Sequence, residues 1–565
     1  MSVTWHGTYD LVVAGTGAAA FAAAVTAADE GMTVLMLEST DRWGGSTAMS
    51  GGGLWLPNNP LMQRDRAGDS REEALTYLDA TVGDAGPGAS RHRKEAFVDG
   101  VGSFVSLAER LGMRFARAAA YPDYYPERPS GKIGRAIEHE PFDRRRIGQW
   151  WASSRGQDGV PLPVKTDDFW LLSRAWSSPD GMTRGARVVA RIAGSAARGH
   201  KKVGMGAALA CSFLEIAIAQ GTPVWLSSPV QDLIVEDDRV VGVRTIKDGK
   251  EIHVRATRGV VLGAGGFDHN AELRRRYQGV DGTASSGSSG NVGSTIALAE
   301  RVGAALDLMD DAWWGGSIPP SGPDKSAAFL VSERSMPHSI IVDGAGRRFA
   351  NESESYVDLG HHMLEHSREV TGRYWMITDA RHARKYLRSY ALDPRENKAR
   401  SAAGIAHSAH TIHDLADLTG LDPTALAETV ERFNANARTG IDHDFGRGNS
   451  AYDRYYGDPL SSPNPNLGTI EKAPFAAVEI VAGDLGTKGG IVTDGHARAL
   501  RANGTVIEGL YAAGNCSASV MGRTYPGPGS TLGPAAVFGH LAARHAAAQG
   551  WAPDDTQDVD RSRVE

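Results

Sequence analysis

The sequence predicts an α/β protein: a Rossmann-like nucleotide-binding domain carrying a β-meander, with an α+β unit inserted into it. Three observations predict this architecture. A β-rich run at 9–14 ends in a glycine turn, an alanine-rich helical stretch follows, and a second β-rich run closes at Glu38. Short strand-like runs at 223–226, 230–235, 239–245, 251–255 and 259–262 follow one another as the legs of a meander would. Residues 509–534 then return to glycine-rich turn chemistry after a stretch of different character, 312–486.

A chain of 565 residues suggests two or three domains and can bury a large core. The net charge of −7 argues against nucleic acid as the main partner. Only Cys211 and Cys516 are present, so no disulfide framework is implied, and a reducing, cytoplasmic setting fits. Residues 11–29 are apolar enough to suggest a membrane span. The run is mostly Ala, Gly and Val, however, contains Thr16 and Thr26, and has no Lys or Arg upstream. A buried strand, turn and helix is the better reading.

Along the chain, 9–14 is the first strand, 18–30 the first helix and 33–37 the second strand, a β-α-β unit. Residues 39–59 are rich in Gly and Ser and read as loop. Helical spacing returns at 71–84 and 94–111. Residues 118–170 mix Pro, Tyr, Arg and Gly without a period and predict a long irregular excursion. An apolar helix is expected over 204–220, then the meander, then a glycine cluster at Gly263, Gly265 and Gly266. Within 312–486 a strand is expected at 339–343, a turn at 351–356 and helices near 412–419 and 423–436. The last helix is expected over about 531–548, and the charged final dozen residues are expected to be disordered.

The motif Gly15-Thr-Gly17-Ala-Ala-Ala20 sits between strand and helix. Gly15 permits the tight turn, Gly17 lets the backbone approach a pyrophosphate, and Ala20 still allows close helix–strand packing. The helix N-terminus offers free N–H groups and a positive dipole end. Glu38 lies where an acid accepts hydrogen bonds from a ribose. Gly44-Gly45-Ser46-Thr47 and Ser50-Gly51-Gly52-Gly53 follow directly, giving backbone and hydroxyl donors to phosphate and flavin oxygens, and run straight into Leu54-Trp55-Leu56-Pro57. That favours FAD.

Near the other end, Tyr525-Pro-Gly-Pro-Gly529 is a stiff turn: the prolines fix φ and the glycines allow positive φ. Such a turn can aim a phenol O–H and a backbone N–H at one carbonyl oxygen. An ordinary loop with a core Tyr reads equally well on this segment alone. Tyr121, Tyr124, Tyr125 and Tyr356 lie in irregular segments, and a loop Tyr is more often packing than catalytic. Lys488, in Asp484-Leu-Gly-Thr-Lys-Gly-Gly490, reads as incidental to a flavin-side turn. Residues 174–202 carry seven Arg and Lys against one acid, Asp180, interleaved with Val188, Val189 and Ile192. This is a solvated face or a peripheral contact with an anionic membrane. No zinc-ligand spacing and no serine-hydrolase elbow occur, so no metal is expected.

These motifs together, with Met309-Asp-Asp-Ala-Trp313-Trp314 and Asn351-Glu-Ser353, resemble the 3-ketosteroid Δ1-dehydrogenases, FAD enzymes of the fumarate reductase-like flavoproteins. The resemblance runs from about residue 8 to 545 and is to the longer members, which carry extra sequence around 165–205. Fumarate-reducing relatives have a His-Thr-x-Gly-Gly turn; here it is Gly486-Thr-Lys-Gly-Gly490, without the His, which counts against dicarboxylate chemistry. Glu354 and Ser355 stand where relatives commonly carry Pro.

The resemblance implies roles by residue. Tyr525 O–H and Gly529 N–H would bind the steroid C3 carbonyl, Tyr356 would remove the C2 proton, and Tyr124 would assist it. The C1 hydride would pass to flavin N5. The expected cofactor contacts are Gly15, Gly17, Ala18, Ala19, Glu38, Gly45, Ser46, Thr47, Ser50, Gly51, Gly52, Val230, Ala264, Gly265, Gly514, Asn515, Ser530 and Leu532. The FAD domain is expected over 1–311 and 487–565, its tail disordered after about 552, and the catalytic domain over 312–486. A 3-ketosteroid such as androst-4-ene-3,17-dione would be the substrate, with an electron acceptor that the sequence does not identify. The rivals are a related flavoprotein acting on another steroid or cyclic enone, and a non-catalytic FAD or steroid binder.

Overall fold

A computed structural model describes residues 3–159, 162–322 and 325–549. The expected disordered tail lies outside the described residues. The first sheet is built on three parallel neighbours, Gly7–Ala14 between Val34–Leu37 and Lys250–Leu262. Val224–Trp225 extends one side and Val506–Ala512 the other, both parallel. Leu11, Val12 and Val13 are fully buried, as a parallel strand covered on both faces requires. The Ala-rich helix Ala18–Asp29 packs on one face of this sheet and against the final helix, Leu532–Ala548. Small residues permit the approach: a Cβ at Gly539 would stand 2.2 Å from the Ala19 carbonyl oxygen.

The meander is Val230–Glu236, Arg239–Lys247 and Lys250–Leu262, paired antiparallel in turn. The two strands expected at 251–255 and 259–262 are one. Lys250–Leu262 pairs with the meander at its start and with Gly7–Ala14 and Val506–Ala512 at its end. Thr257 and Arg258 resemble a break in the sequence, yet they only mark a bulge, where the register with Gly7–Ala14 slips and Gly259 takes φ +141°.

A second, mostly antiparallel sheet runs in the order Ala328–Phe329, Ala312–Ile318, Phe475–Thr487, Tyr374–Thr378, Ser339–Val342, with Ala406–Ala409 also on Phe475–Thr487. Helices Ile412–Thr419 and Pro423–Thr439 pack with it, around Leu415, Leu426 and Phe433. The chain enters this sheet from the first and returns after Thr487.

Two stretches expected to be irregular are structured. Gly53–Trp55 and Ala136–His139, with Phe115–Arg117 just before the second stretch, form a small antiparallel sheet, and Gly45–Met49 is a short helix. Runs of three to five residues carry no readable period, so the sequence shows only their loop-like composition. Beyond them, Thr166–Leu171 and the longer helix Pro179–Ala197 lie side by side.

Candidate active site

A long cleft opens at the C-terminal ends of the parallel strands, where nucleotides bind in open α/β sheets. Gly15 has φ +103°, and a Cβ there would meet the Gly263 carbonyl at 2.6 Å, so only glycine lets these two turns close together. The helix beginning at Ala18 has no side-chain cap on Gly17, which leaves first-turn N–H groups open to an anion. Thr47 Oγ accepts from Ala18 N–H at 2.9 Å and ties the second glycine loop to the first. Glu38 is buried; Thr16 Oγ donates to one of its oxygens at 2.6 Å and Thr40 N–H to the other at 3.0 Å. These groups fit FAD: open backbone donors for the pyrophosphate and a fixed carboxylate beside the second strand.

Of the expected cofactor residues, all but one face this cleft. Ser530 does not: its hydroxyl turns back on the Gly527 carbonyl at 2.7 Å, and Thr531 faces the cleft instead. Sequence reasoning missed Ser288 and Asn291. Ser288 N–H and Asn291 Nδ2 both donate to Ser46 Oγ, at 2.9 and 3.0 Å. The turn Gly287-Ser-Ser-Gly-Asn291 was a legible signal, of the kind read at 44–47. Asn291 also donates to Asp268, whose carboxyl is pushed up to about 7 by burial and by Asp484.

At the far end of the cleft three phenols meet. Tyr124 and Tyr525 have ring centroids 5.0 Å apart, Tyr124 and Tyr356 5.4 Å, and Tyr356 and Tyr525 4.9 Å. None is more than 5% exposed. Tyr356 is the first residue of the helix Tyr356–His366, so the loop before it sets the ring's position. Tyr124 is carried by a loop whose backbone N–H donates to the Pro526 carbonyl at 2.9 Å. Tyr121 also lines the cleft, as do Phe329 and Val331, whereas the Tyr125 hydroxyl leaves it for Asp358.

The Tyr525–Gly529 turn is held on several sides. Trp55 N–H donates to the Gly529 carbonyl at 3.2 Å, and Ser530 Oγ accepts from Gly527 N–H at 2.9 Å. Gly527 leaves no room for a side chain: a Cβ would stand 2.2 Å from the Trp55 ring.

Burial raises the pKa of all three phenols. For Tyr356 the two neighbouring phenols add to the rise, so its ionisation is opposed from both sides. For Tyr525 the rise is opposed by hydrogen bonding with Tyr356, Thr531 and the Gly529 backbone. The Gly529 amide thus lies near the Tyr525 oxygen, and both residues line the cleft.

Lys488 is not incidental. It is fully buried, 3.3 Å from Asp311 and 4.8 Å above the Trp313 ring. The ammonium, with His361, holds the Asp311 carboxyl down to about 2 against a desolvation that would raise it. Trp313 in turn meets the Tyr525 ring edge-on at 5.3 Å and donates to Asn515 Oδ1 at 3.2 Å.

The expected basic segment is only partly a free face. Arg184 and Arg191 pair with Asp168, and Arg174 is buried, donating to the Gly457 carbonyl at 2.6 Å. Trp176, Met182 and Val189, by contrast, are 65%, 60% and 65% exposed. From the same insertion, Thr166 and Phe169 face the cleft.

An FAD binding domain family matches residues 10–532. The 3-oxosteroid 1-dehydrogenase of Mycolicibacterium smegmatis is 42% identical, covering 96% of this chain and 97% of its own length. A 4-oxocyclohex-2-ene-1-carboxylate 5-dehydrogenase of Sinomonas cyclohexanicum is 34% identical over 98% of this chain and 96% of its own. Among solved structures, the 3-ketosteroid Δ1-dehydrogenase of Sterolibacterium denitrificans, in complex with 1,4-androstadiene-3,17-dione, superposes with a TM-score of 0.89. It is 35% identical and covers 96% of this chain and 100% of its own.

Proposed function

The chain belongs to the FAD-dependent 3-oxosteroid 1-dehydrogenases, and from that premise we propose that it places the C1–C2 double bond into a 3-ketosteroid such as androst-4-ene-3,17-dione. The observation that carries this reading is the meeting of Tyr124, Tyr356 and Tyr525 at one end of the cleft. The Tyr525 hydroxyl and the Gly529 amide hold the C3 carbonyl oxygen. Two donors on that oxygen stabilise the charge that develops when C2 loses a proton. Tyr356, as the phenolate, takes that proton and becomes the neutral phenol, and Tyr124 donates a hydrogen bond to the phenolate before the transfer. Bound FAD supplies the acceptor for the C1 hydride. The buried walls exclude water, which would otherwise compete for both the base and the ketone oxygen. The second sheet, residues 312–486, is the catalytic unit, because it brings Tyr356 to a cleft built by the first.

Anaerobic mixing with androst-4-ene-3,17-dione tests this. The oxidised flavin absorbance should bleach and the 1,4-diene should form. Desaturation at C4–C5, or steroid binding without bleaching, would overturn it. The 34% identity to a dehydrogenase of a cyclic oxo-carboxylate keeps one alternative in view, a smaller cyclic ketone as substrate. Turnover of 4-oxocyclohexanecarboxylate exceeding that of the steroid would favour it.

We also propose that 174–202 rests on an anionic membrane surface, delivering an apolar substrate to the cleft beside Phe169. The exposed Trp176, Met182 and Val189, with Arg187 and Arg198 nearby, support this. Among the described residues no helix is long and apolar enough to cross a membrane, so the contact is peripheral. Co-sedimentation with phosphatidylglycerol vesicles should fall several-fold in a Trp176→Ser, Val189→Ser double variant; equal sedimentation would refute it.

A further inference from the structure

We propose that Tyr77 and Tyr125 are positioning residues, two cross-braces that set the catalytic phenols in register without facing the substrate. The proposal rests on the roles given above to Tyr525 and Tyr356. Tyr77 is fully buried, and its hydroxyl makes two bonds. It donates to the Pro526 carbonyl at 2.6 Å and accepts from the Tyr125 backbone N–H at 3.2 Å. One oxygen therefore joins the residue after Tyr525 to the residue after Tyr124. Tyr125 makes the second brace, its hydroxyl donating to Asp358 at 2.9 Å. Asp358 lies in the first turn of the helix that Tyr356 begins. The two hydroxyls thus link the Tyr525, Tyr124 and Tyr356 segments in sequence.

The surroundings keep Tyr77 from moving. The Arg135 guanidinium lies 5.1 Å above its ring and pairs with Asp123 and Asp69 at 2.8 Å each. Trp55 packs on the Tyr77 ring at 6.0 Å and donates from its indole to Asp123 at 2.8 Å. Asp123 adjoins Tyr124, so the same buried network ends on the segment that Tyr77 braces. A hydroxyl with both bonds spent on backbone atoms of two distant segments transmits position rather than chemistry.

A double-mutant cycle separates bracing from general stability. Tyr77→Phe should keep FAD and lower kcat/KM for androst-4-ene-3,17-dione about tenfold, mainly through kcat. The same substitution in a Tyr525→Phe background should change single-turnover flavin reduction less than twofold, because the group being positioned is gone. Androst-4-ene-3,17-dione affinity, read from the steroid-induced change in flavin absorbance, should change less than threefold, since the loss falls on kcat. Tyr125→Phe should behave likewise against Tyr356→Phe, and this arm stands alone where Tyr77→Phe fails to hold flavin. Losses that multiply independently in both cycles, or a Tyr77→Phe enzyme equal to wild type, would overturn the bracing. Failure of the wild type to reduce its flavin with steroid would overturn the proposed function instead.

Discussion

Gly529→Ala puts the carbonyl-binding turn under the most direct strain. A Cβ built on Gly529 stands 2.2 Å from the Gly53 carbonyl oxygen and 2.4 Å from its carbon, and φ is +95°. Both obstacles are backbone, so neither can swing aside. To bring the oxygen contact to 3.0 Å the turn must retreat by 3.0 − 2.2 = 0.8 Å. The Trp55 N–H to Gly529 carbonyl bond, at 3.2 Å, cannot survive that retreat unstretched. A misplacement of about 1 Å costs about 100-fold in rate, or about 2.7 kcal/mol of transition-state stabilisation. We expect kcat/KM for androst-4-ene-3,17-dione to fall about 100-fold with FAD still bound. The assay is steady-state turnover with an artificial electron acceptor, beside flavin content by absorbance. Gly102→Ala is the control: its Cβ meets nothing within 4 Å and the residue lies away from the cleft, so it should leave kcat/KM within about threefold. A Gly529→Ala enzyme within threefold of wild type would refute the assignment of the turn to the ketone.

Three further outcomes are expected. Tyr525→Phe and Tyr356→Phe should each retain FAD and lose about 100-fold or more in kcat, the usual scale for one oxyanion donor or one base; near-normal rates would remove both roles. Because burial and both neighbouring phenols raise Tyr356, and the phenolate is the active form, kcat/KM should climb about tenfold per pH unit through neutral pH, and a flat profile would contradict a tyrosine base. Buried His382 is held down to about 3 and His139 and His540 to about 4, below an ordinary value near 6.5. Their stabilisation is complete above pH 6.5 and is lost as pH falls toward 3–4. Asp123 and Asp268, raised to about 6 and about 7, act oppositely, their contribution disappearing as pH rises through those values. His382→Gln should therefore shrink the urea-midpoint difference between pH 7 and pH 4.5, and an unchanged difference would discount it.

The first β-α-β unit and the meander were legible because long buried elements impose their period on the sequence. Tyr9 to Glu38 shows apolar run, glycine, alanines and apolar run in an order that few folds share. The small sheet of Gly53–Trp55, Phe115–Arg117 and Ala136–His139 was not legible, since its pairing is fixed by neighbours and not by alternation. The site divides the same way. Glycines announce backbone turns, so Gly15, Gly45, Gly265 and Gly514 could be placed by type. Ser530 misled because a hydroxyl beside a glycine turn suits a cofactor and an internal cap equally well. Lys488 misled because burial cannot be read from a glycine-rich turn; its partner Asp311 is more than 170 residues away in the chain. Tyr77 gave no signal at all, being one apolar position on an ordinary helix, Arg71–Thr81.

The burial that makes this site dry also works against its base. An isolated phenol loses a proton near pH 10, and Tyr356 sits above that value because water is excluded and two neutral phenols crowd it. Burial raises Tyr525 as well, and its hydrogen bonding with Tyr356, Thr531 and the Gly529 backbone offsets only part of that rise, so without a ketone both phenols keep their protons. On the proposed roles, a ketone oxygen placed between Tyr525 and Gly529 would break this tie. It needs the Tyr525 proton as a donor, which keeps Tyr525 neutral and leaves Tyr356 free of its proton-donating duty to Tyr525. Tyr124, stacked 5.0 Å from Tyr525 and edge-on to Tyr356, would then donate to the Tyr356 oxygen, with the Tyr121 hydroxyl 3.4 Å from its own. If the proposed roles hold, the substrate carbonyl sets which tyrosine ionises. A saturated alcohol analogue lacking the C3 ketone should therefore bind without lowering the Tyr356 pKa, and the phenolate difference absorbance across a pH titration would read the contrast.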